Sequence, residues 1–380
     1  MDCMDRRAFL GTAAAVPLVL AADVQHEIPK YRVVTRFKPA EKPGMPGPYA
    51  GQVVAVHSEK SIDAGSEKVD LPTVREMMSR GMRSLTGDRD PRDSWARFFS
   101  ASDTVGIKVN CSGAPGIMST PEVVGEIVRN LGTVGVKPEN VYIYERFQNQ
   151  VDTAHYDRYV PGGVHIWTAE TGRWGGGNYD PATYVEVNFF GEEDTRSNLG
   201  RIVSERLTKI INVPNLKDHG ASGVTGCLKN IAYGSFSNVA RSHSGVKTNT
   251  YSFIGTLAAV EPLRSRTVLQ VMDGLKGVWH GGPFSSNRRF RFYPKQIMFG
   301  TDPVAIDRME LDIITAKRNA EHAAPFEDIS PAHLKSGGAG NDDPQIHRYI
   351  REPGHIEYAA TTFGLGVYDI KKIKVTRIEI

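Results

Sequence analysis

The sequence predicts an α/β fold with a mixed, mostly parallel sheet flanked by helices and interrupted by Gly-rich loop excursions. Short runs rich in Val, Ile and aromatic residues alternate along the chain with segments of helical periodicity. Between residues 104 and 145 the order is strand, helix, strand, which is the βαβ unit of a parallel sheet. Several strand-like runs end in polar residues, and ligands of open α/β sheets bind beyond such carboxyl ends.

The predicted elements follow one another from residue 51. Strands are expected over 51–58, 104–110, 140–145, 183–190, 207–214, 267–274, 295–300 and 373–380. Helices are expected over 71–85, 120–135, 225–234 and 302–317. Ser119 and Glu122 have capping-box spacing around Pro121, which predicts where the second helix begins. A Gly-rich loop at 172–181 and the polar stretch from His322 to His355 are the predicted excursions.

The first 22 residues have the pattern of a twin-arginine signal peptide. Arg6 and Arg7 precede a modest apolar segment from Ala13 to Ala22, which is too short to anchor the protein in a bilayer. We therefore expect a periplasmic or otherwise exported protein that uses the twin-arginine export machinery. No stable membrane span is expected in the mature chain.

The rest of the chain predicts an arm followed by a folded body. Residues 23–50 contain five prolines among charged residues, which is typical of an extended linker or a surface arm. Residues 51–380 are long enough for one α/β domain, with two lobes, 51–150 and 151–380, as the alternative.

Charge and cysteine content exclude two classes of function. The formal net charge is +3, and Lys and Arg are spread along the chain, so no nucleic-acid partner is expected. Cys3 belongs to the predicted signal peptide, which leaves Cys111 and Cys227. These two could form one disulfide after export, but they cannot ligate a tetracysteine cluster, so no iron–sulfur cofactor is expected.

The segment from Asn215 to Gly234, NLKDHGASGVTGCLKNIAYG, carries the strongest chemical signal. Gly223 and Gly226 would let the backbone approach a ligand closely, and the helix that follows begins with N–H groups that attract anions. The spacing matches neither a dinucleotide-binding fingerprint nor a P-loop. A small anionic molecule is therefore the expected ligand, with further contacts from Lys217, Thr225, Lys229 and Asn230.

Three other strand ends carry polar side chains. Lys108 and Asn110 follow the strand that begins near residue 104, and both are predicted to bind substrate. Asp273 is a predicted catalytic carboxylate, although Asp273 followed by Gly is also typical of a turn. Asp302 precedes Pro303 and a helix, so an N-cap is the alternative to a ligand-binding role.

Three histidines stand in Gly- or Ser-rich loops, where imidazole can transfer a proton or bind a metal ion. His219 and His243 are predicted to act in acid–base catalysis together with Lys217 and Asp273. The sequence contains no HExxH motif or similarly close ligand spacing. A metal ion would therefore need ligands from distant loops, and the predicted set is His219, His243, His280 and Asp302.

Six segments resemble the domain of unknown function 362 family in order and spacing. They are VGIKVN, STPEVVGEIVRNL, VYIYE, NVPNLKDHGASGVTGCLKNIAYG, VMDGLKGVWHGGP and FGTDPVAIDRME. The resemblance covers residues 51–318 and is most specific at 213–234 and 298–310. It implies an α/β fold. Many members of the family carry a ferredoxin-like four-iron module, but this chain lacks its cysteines, so the cluster is not carried over.

The resemblance extends to single residues of the candidate site. The positions that match are Lys217, His219, Thr225, Lys229, Asn230, His243, Asp273, Gly282 with Pro283, and Asp302 with Pro303. These matches imply that the family shares a site, but they do not specify the reaction.

Two functions fit the sequence, besides a structural interpretation as an envelope-associated scaffold with a vestigial site. The first is an exported enzyme acting on a small anionic organic substrate, either an oxidoreductase or an isomerase/lyase, with a metal ion or other cofactor left open. The alternative is a periplasmic solute- or metal-binding protein without turnover. Both require that Lys217, His219, His243 and Asp273 gather around one hollow.

Overall fold

The computed structural model describes residues 28–170, 177–243, 249–285, 287–327, 333, 343–347 and 351–380. The predicted signal peptide, residues 1–22, lies outside this part, as do portions of both predicted loop excursions. Among the helices of the described residues, none combines the length and the apolar character needed to cross a bilayer.

The described residues form strands and helices in alternation. The strands are β1 (Arg32–Val34), β2 (Gln52–His57), β3 (Val105–Lys108), β4 (Val141–Phe147), β5 (His165–Glu170), β6 (Tyr179–Glu186), β7 (Arg196–Gly200), β8 (Lys209–Asn212), β9 (Asn215–His219), β10 (Gly223–Val224), β11 (Thr267–Val278), β12 (Arg291–Phe292), β13 (Gln296–Gly300) and β14 (Lys374–Glu379). The helices are α1 (Leu71–Thr86), α2 (Pro91–Ala96), α3 (Pro121–Thr133), α4 (Gln148–Ala154), α5 (Gly226–Tyr233), α6 (Thr250–Ala258), α7 (Leu263–Arg266), α8 (Pro303–Ala320) and α9 (His355–Phe363).

One large sheet has the strand order β14-β2-β13-β11-β8-β3-β4-β5. Its neighbours pair in parallel except at β13, which is antiparallel to both β2 and β11. The predicted mixed, mostly parallel sheet is thus confirmed. Strands from both halves of the chain belong to this sheet, since β2 lies between β14 and β13, and β8 pairs with β3.

Strand β11 is longer than the sequence predicted. The expected strand ended at Gly274, where Asp-Gly is typical of a turn, but β11 continues to Val278. The extension has partners of its own: β9 pairs in parallel with it, and β12 pairs antiparallel at Gly277 and Val278. Tertiary pairing has therefore overridden the local turn signal, and it brings β9 to the carboxyl edge of the sheet.

Helices cover both faces of the large sheet. One core contains side chains of α1, α2 and α3, and the other contains side chains of α5, α6, α8 and α9. Strand β2 shows the division, because Val54 and Val56 point into the first core while Val53 and Ala55 point into the second. Burial on both faces explains why central strands such as β2 and β13 are rich in apolar residues.

The Pro-rich arm contributes to a second, smaller sheet. Strand β1 pairs antiparallel with β6, and β6 pairs antiparallel with β7. The ring of Tyr31 stacks on Phe253 of α6 with 5.8 Å between ring centroids. Met45, further along the arm, is fully buried. Residues 28–50 therefore form part of the packed structure.

The predicted capping box at α3 is wrong. Thr120 is the N-cap residue, and its own side chain makes no capping hydrogen bond. Ser119 instead donates its hydroxyl to the carbonyl oxygen of Val213 (2.6 Å) and accepts from the N–H of Asn110 (2.7 Å). Its hydroxyl ties β3 to β8 because both strands end beside it.

Asp302 is an N-cap, as the alternative interpretation of the sequence held. Its Oδ1 accepts a hydrogen bond from the N–H of Ala305 (2.8 Å) in the first turn of α8. Its Oδ2 accepts from the N–H groups of Gly51 (2.8 Å) and Val367 (2.9 Å), which join α8 to the start of β2 and to the C-terminal region. Asp302 is fully buried, so each of these donors depends on it.

We expect Asp302→Ala to lower the free energy of unfolding by about 3 kcal/mol, because it removes a cap and leaves the buried N–H of Gly51 and the half-buried N–H of Val367 without an acceptor. The matched control is Asp70→Ala, which removes the exposed N-cap of α1 and should cost about 1 kcal/mol. Urea denaturation followed by circular dichroism measures both. Equal losses for the two variants would show that the bonds to Gly51 and Val367 contribute nothing.

Candidate functional site

A cavity of about 250 Å³ lies beyond the carboxyl ends of β3, β4 and β9, beside α5. Side chains of each of these elements line it. The lining residues that the sequence predicted are Lys108, Asn110, His219, Thr225, Lys229, Asn230 and His243. Residues separated by more than a hundred positions are thus brought to one hollow, at the edge of the sheet where ligands of α/β folds bind.

Lys217 lies directly behind the wall of the cavity. Its ammonium group donates to Oδ1 of Asn110 (2.7 Å), to Oγ of Ser112 (2.7 Å) and to the carbonyl oxygen of Pro283 (3.2 Å). All three N–H bonds of the ammonium group are therefore used. Lys217 acts on the cavity through its charge and through the orientation of Asn110 and Ser112.

A chain of side-chain amides forms the floor of the site. Nδ2 of Asn110 donates to Oδ1 of Asn230 (3.0 Å), and Nδ2 of Asn230 donates to Oδ1 of Asn212 (2.7 Å). Asn212 continues the chain by donating to Oε1 of Gln270 (2.8 Å). Because amide groups both donate and accept, this chain fixes the oxygen atoms that face the lysines.

Lys108 enters the site from the end of β3. Its Nζ lies 2.7 Å from Oε2 of Glu145 and 3.3 Å from Oδ1 of Asn230. The side chain of Lys108 passes so close to Gly234 that a Cβ atom at position 234 would lie 2.3 Å from Nζ of Lys108. Glycine is required at position 234 for Lys108 to reach its carboxylate partner.

Lys229, which is buried, and His243, which is half-buried, form a pair of basic groups. Nζ of Lys229 lies 2.8 Å from Nε2 of His243. Nδ1 of His243 lies 3.2 Å from the carbonyl oxygen of Ala240, which can only accept. Nδ1 therefore carries a proton, Nε2 is the acceptor, and Lys229 is the donor to it.

The neutral tautomer of His219 follows from a backbone contact. Its Nδ1 accepts a hydrogen bond from the N–H of Ala221 (3.0 Å), so in the neutral ring the proton resides on Nε2. The rings of His219 and His243 are 5.2 Å apart between centroids. The two imidazoles thus differ in role: Nε2 donates in His219 and accepts in His243.

Burial lowers the basicity of the lysines and histidines in and behind the cavity wall. The pKa of Lys217 falls from 10.5 to about 8, mainly because the group is buried. Burial, followed by the positive charge of Lys217, lowers the pKa of Lys229 well below its usual value. The pKa values of His219 and His243 are also well below 6.5, through burial and then the charge of Lys229. A bound anion would oppose the effect of burial on the pKa of Lys217.

Other lining groups shape the cavity. The hydroxyl of Thr225 is buried and has no hydrogen-bond partner among the described residues. Phe147, Tyr233 and Phe284 add aromatic surface, and Phe284 is 56% exposed. A ligand with a polar end and a small apolar body would bond to the hydroxyl of Thr225 and cover the aromatic side chains.

The predicted anion site at the start of α5 is wrong. The N–H groups of Cys227 (2.5 Å) and Leu228 (2.9 Å) already donate to the carboxylate of Asp307, which extends from α8. Gly226 is needed for this contact, because its φ is +61° and a Cβ atom would lie 2.4 Å from the carboxylate. Gly223, with φ +68°, packs near the carbonyl oxygen of Arg351, so neither glycine lines the cavity.

Asp273 does not join the site either. Its carboxylate accepts from the N–H groups of Thr120 (2.6 Å) and Leu275 (3.2 Å), and it is fully buried between β11 and the start of α3. The predicted catalytic carboxylate is thus a helix cap supplied by a distant strand. Burial raises its pKa, while the hydrogen bonds from Thr120 oppose that effect.

The four predicted metal ligands are not brought together. His219 and His243 are neighbours, but the oxygens of Asp302 are bonded to backbone N–H groups, and His280 packs among Trp279, Phe290 and Arg318. Within the described ranges, no group of three or more His, Cys, Asp or Glu side chains is placed to hold a metal ion.

The two remaining cysteines are free and buried. Sγ of Cys111 lies 3.5 Å from the hydroxyl of Tyr156, whereas Cys227 lies in the first turn of α5 beside Asp307. They do not form the disulfide that the sequence left open. Burial raises the pKa of both thiols, which favours the protonated form.

Several residues of the site were missed in the sequence. Glu145 ends the predicted strand 140–145, so the rule that located Lys108 could have found it. Ser112 and Tyr233 lie close in sequence to predicted residues. Asp307 has no local signal, since a carboxylate within a helical segment is ordinarily exposed.

Comparisons with known proteins give a family and a weak structural likeness. No curated protein matches the sequence. A crystal structure of a Thermotoga maritima protein, solved in a structural genomics programme, matches 65% of this chain at 10% identity and a TM-score of 0.39. The match spans 59% of that protein's chain.

The family comparison covers the strands and the helix that build the cavity. A model described as domain of unknown function (DUF362) matches residues 105–312. This range contains each of the seven predicted residues that line the cavity, from Lys108 to His243. Because the match extends over more than half of the chain, the protein belongs to the DUF362 family.

Proposed function

We propose that this protein is an enzyme that binds a small organic anion in the cavity and transfers a proton to or from it. One observation carries the proposal: basic side chains surround the hollow with little negative charge to balance them. Among the described lining residues, Glu145 is the one carboxylate, and it is engaged by Lys108. Lys229, His219 and His243 have no carboxylate at the cavity wall.

The energetics favour a negatively charged ligand. Two unit charges 4 Å apart interact with about 4 kcal/mol near a protein surface, where the effective dielectric constant is about 20. Burial has already removed the solvent that would otherwise stabilise the protonated lysines. A carboxylate in the cavity would replace that solvent, and Lys217 would be more readily protonated with the ligand bound.

His219 is the group proposed to transfer the proton. Its Nε2–H is defined by the bond from Ala221 to Nδ1, and the ring lines the cavity. Lys229 and His243 share a hydrogen bond of their own, so His219 can exchange a proton with a ligand without breaking that pair. The burial that lowers its pKa keeps the His219 ring neutral, with a proton on Nε2 that it can donate to a ligand.

Proton transfer beside an anionic group is a step common to isomerases, lyases and many oxidoreductases, so the proposal covers these reaction classes. Export through the twin-arginine pathway remains a prediction of residues 1–22. The alternative function is a solute-binding protein that uses the same cavity without turnover. The two functions share the anion site and differ only in the chemistry of His219.

We expect anion affinity to decline as pH rises through about 8. Lys217 has a folded-state pKa of about 8, and the anion favours its protonated form, so affinity is present below that pH and lost above it. Calorimetric titration with lactate and malonate between pH 6 and 10 should show about a tenfold loss per pH unit above this pKa.

Lys217→Met should weaken binding at pH 7 and remove the decline near pH 8. The control is Lys371→Met, which changes an exposed lysine at the far end of the chain and should bind as the wild type does. An affinity that stays constant or rises with pH in the wild-type protein would contradict the anion site.

We expect His219→Asn to abolish proton exchange while retaining ligand affinity. Asparagine keeps an acceptor for the N–H of Ala221 but cannot carry the proton of Nε2. Proton NMR in D₂O, with a panel of small hydroxy and oxo acids, would measure exchange at the carbon next to the carboxylate. The variant should lose about 10²-fold or more in rate.

The matched control for this experiment is His155→Asn. His155 is exposed and has φ 51°, a conformation that asparagine tolerates, so its exchange rate should equal that of the wild type. Binding with no exchange or turnover in the wild-type protein would instead identify a solute-binding protein.

A further inference from the structure

We propose that Lys229 is a covalent nucleophile that forms an imine with the carbonyl carbon of a small oxo acid. The proposal rests on the proposed function, because the same cavity must first bind the carboxylate of that acid. It adds a reaction at a named atom, Nζ of Lys229, and it restricts the substrate to anions that also carry an aldehyde or ketone group.

The placement of Lys229 differs from that of the other two lysines. Lys108 is held as an ammonium group by Glu145 at 2.7 Å, and Lys217 donates all three of its N–H bonds to oxygen atoms. Lys229 lines the cavity, and its hydrogen bond at Nζ goes to a nitrogen base, Nε2 of His243. Lys229 is the lysine whose amine can face a ligand.

Hydrogen bonding orients this amine. One N–H of Lys229 is directed to His243, whose Nε2 is fixed as an acceptor by the Nδ1–H bond to Ala240. The ring of Tyr233 lies 4.3 Å from Nζ. In the neutral amine the lone pair and the second N–H are therefore available toward the cavity, as attack on a carbonyl carbon requires.

Only an unprotonated amine attacks a carbonyl group, and the surroundings favour that form. Burial and the charge of Lys217 lower the pKa of Lys229, as they do for lysines that act as nucleophiles. When Lys229 is protonated, His243 can accept its extra proton through the contact at 2.8 Å. The nucleophile and its base are thus adjacent.

The reaction balances without an external oxidant or reductant. The lone pair of Nζ forms a bond to the carbonyl carbon, while Nε2–H of His219 donates a hydrogen bond to the carbonyl oxygen. One proton passes from the attacking nitrogen through Nε2 of His243 to that oxygen, which gives a neutral carbinolamine. The second nitrogen proton follows the same route to the hydroxyl group, which leaves as water. The products are a C=N bond between Lys229 and the substrate, and one molecule of water.

The cavity also limits the substrate. A volume of about 250 Å³ admits a small acid, and the buried hydroxyl of Thr225 lacks a partner among the described residues, so a ligand oxygen would satisfy it. Once formed, a protonated imine withdraws electrons from the adjacent carbon. Loss of a proton or cleavage of a carbon–carbon bond there belongs to isomerases and lyases.

Reductive trapping of the wild-type protein tests the proposal. The purified protein is incubated with pyruvate or glyoxylate and sodium cyanoborohydride, and modified lysines are located by peptide mass spectrometry. The expected adduct with pyruvate adds the mass of pyruvic acid less one oxygen atom. Occupancy at Lys229 should exceed that at the exposed Lys371 by about tenfold or more, since each unit of lowered pKa raises the free-amine fraction about tenfold.

Lys229→Arg and Lys229→Met separate binding from covalent chemistry. The Arg variant should retain calorimetric binding of pyruvate and lose the adduct, whereas Lys371→Arg should retain both. Binding of either acid to the wild-type protein without an adduct at Lys229 overturns the imine and leaves the anion site standing. An adduct distributed over exposed lysines without preference for Lys229 also overturns it. Absence of both binding and adduct overturns the imine and the proposed function together.

Discussion

The site depends on how buried lysine side chains are held at the carboxyl edge of the sheet. Lys217 is bonded to amide, hydroxyl and carbonyl oxygens, and Lys229 is bonded to an imidazole nitrogen. These acceptors are neutral, so they satisfy the hydrogen bonds of the lysines without supplying negative charge. Among the described lining residues, Glu145 beside Lys108 is the one carboxylate, and the preference for an anion follows from that arrangement.

Three other buried carboxylates do not balance the basic groups of the cavity, because they bind backbone N–H groups instead. Asp273 caps α3, Asp302 caps α8 and Asp307 caps α5, each by accepting hydrogen bonds from backbone N–H groups. These bonds hold the helices that surround the sheet, and α5 among them carries Lys229 and Asn230. The three carboxylates thus stabilise the scaffold, while the basic side chains lie around the cavity, where a ligand can bind.

Much of the scaffold was predictable because local periodicity determines it. The strands β2, β3, β4, β8, β13 and β14 and the helices α1, α3, α5 and α8 lie within a few residues of their predicted ranges. Seven site residues were also predictable, since polar groups at the ends of parallel strands meet at one edge of a sheet. The prediction failed where a side chain has two plausible uses. An aspartate before a helix, or after a buried strand, can bind a ligand or cap a helix, and Asp273 and Asp302 both do the latter.

The sequence by itself determined the α/β class, the edge of the sheet at which the site forms and most of the basic residues around it, because these depend on spacing along the chain. Only the tertiary structure decided which groups meet. The extension of β11 that positions β9, the closure of the α5 start by Asp307 and the contact between Lys229 and His243 all join segments distant in sequence or lacking a local signal. Such contacts arise from packing in three dimensions, which periodicity and spacing do not encode.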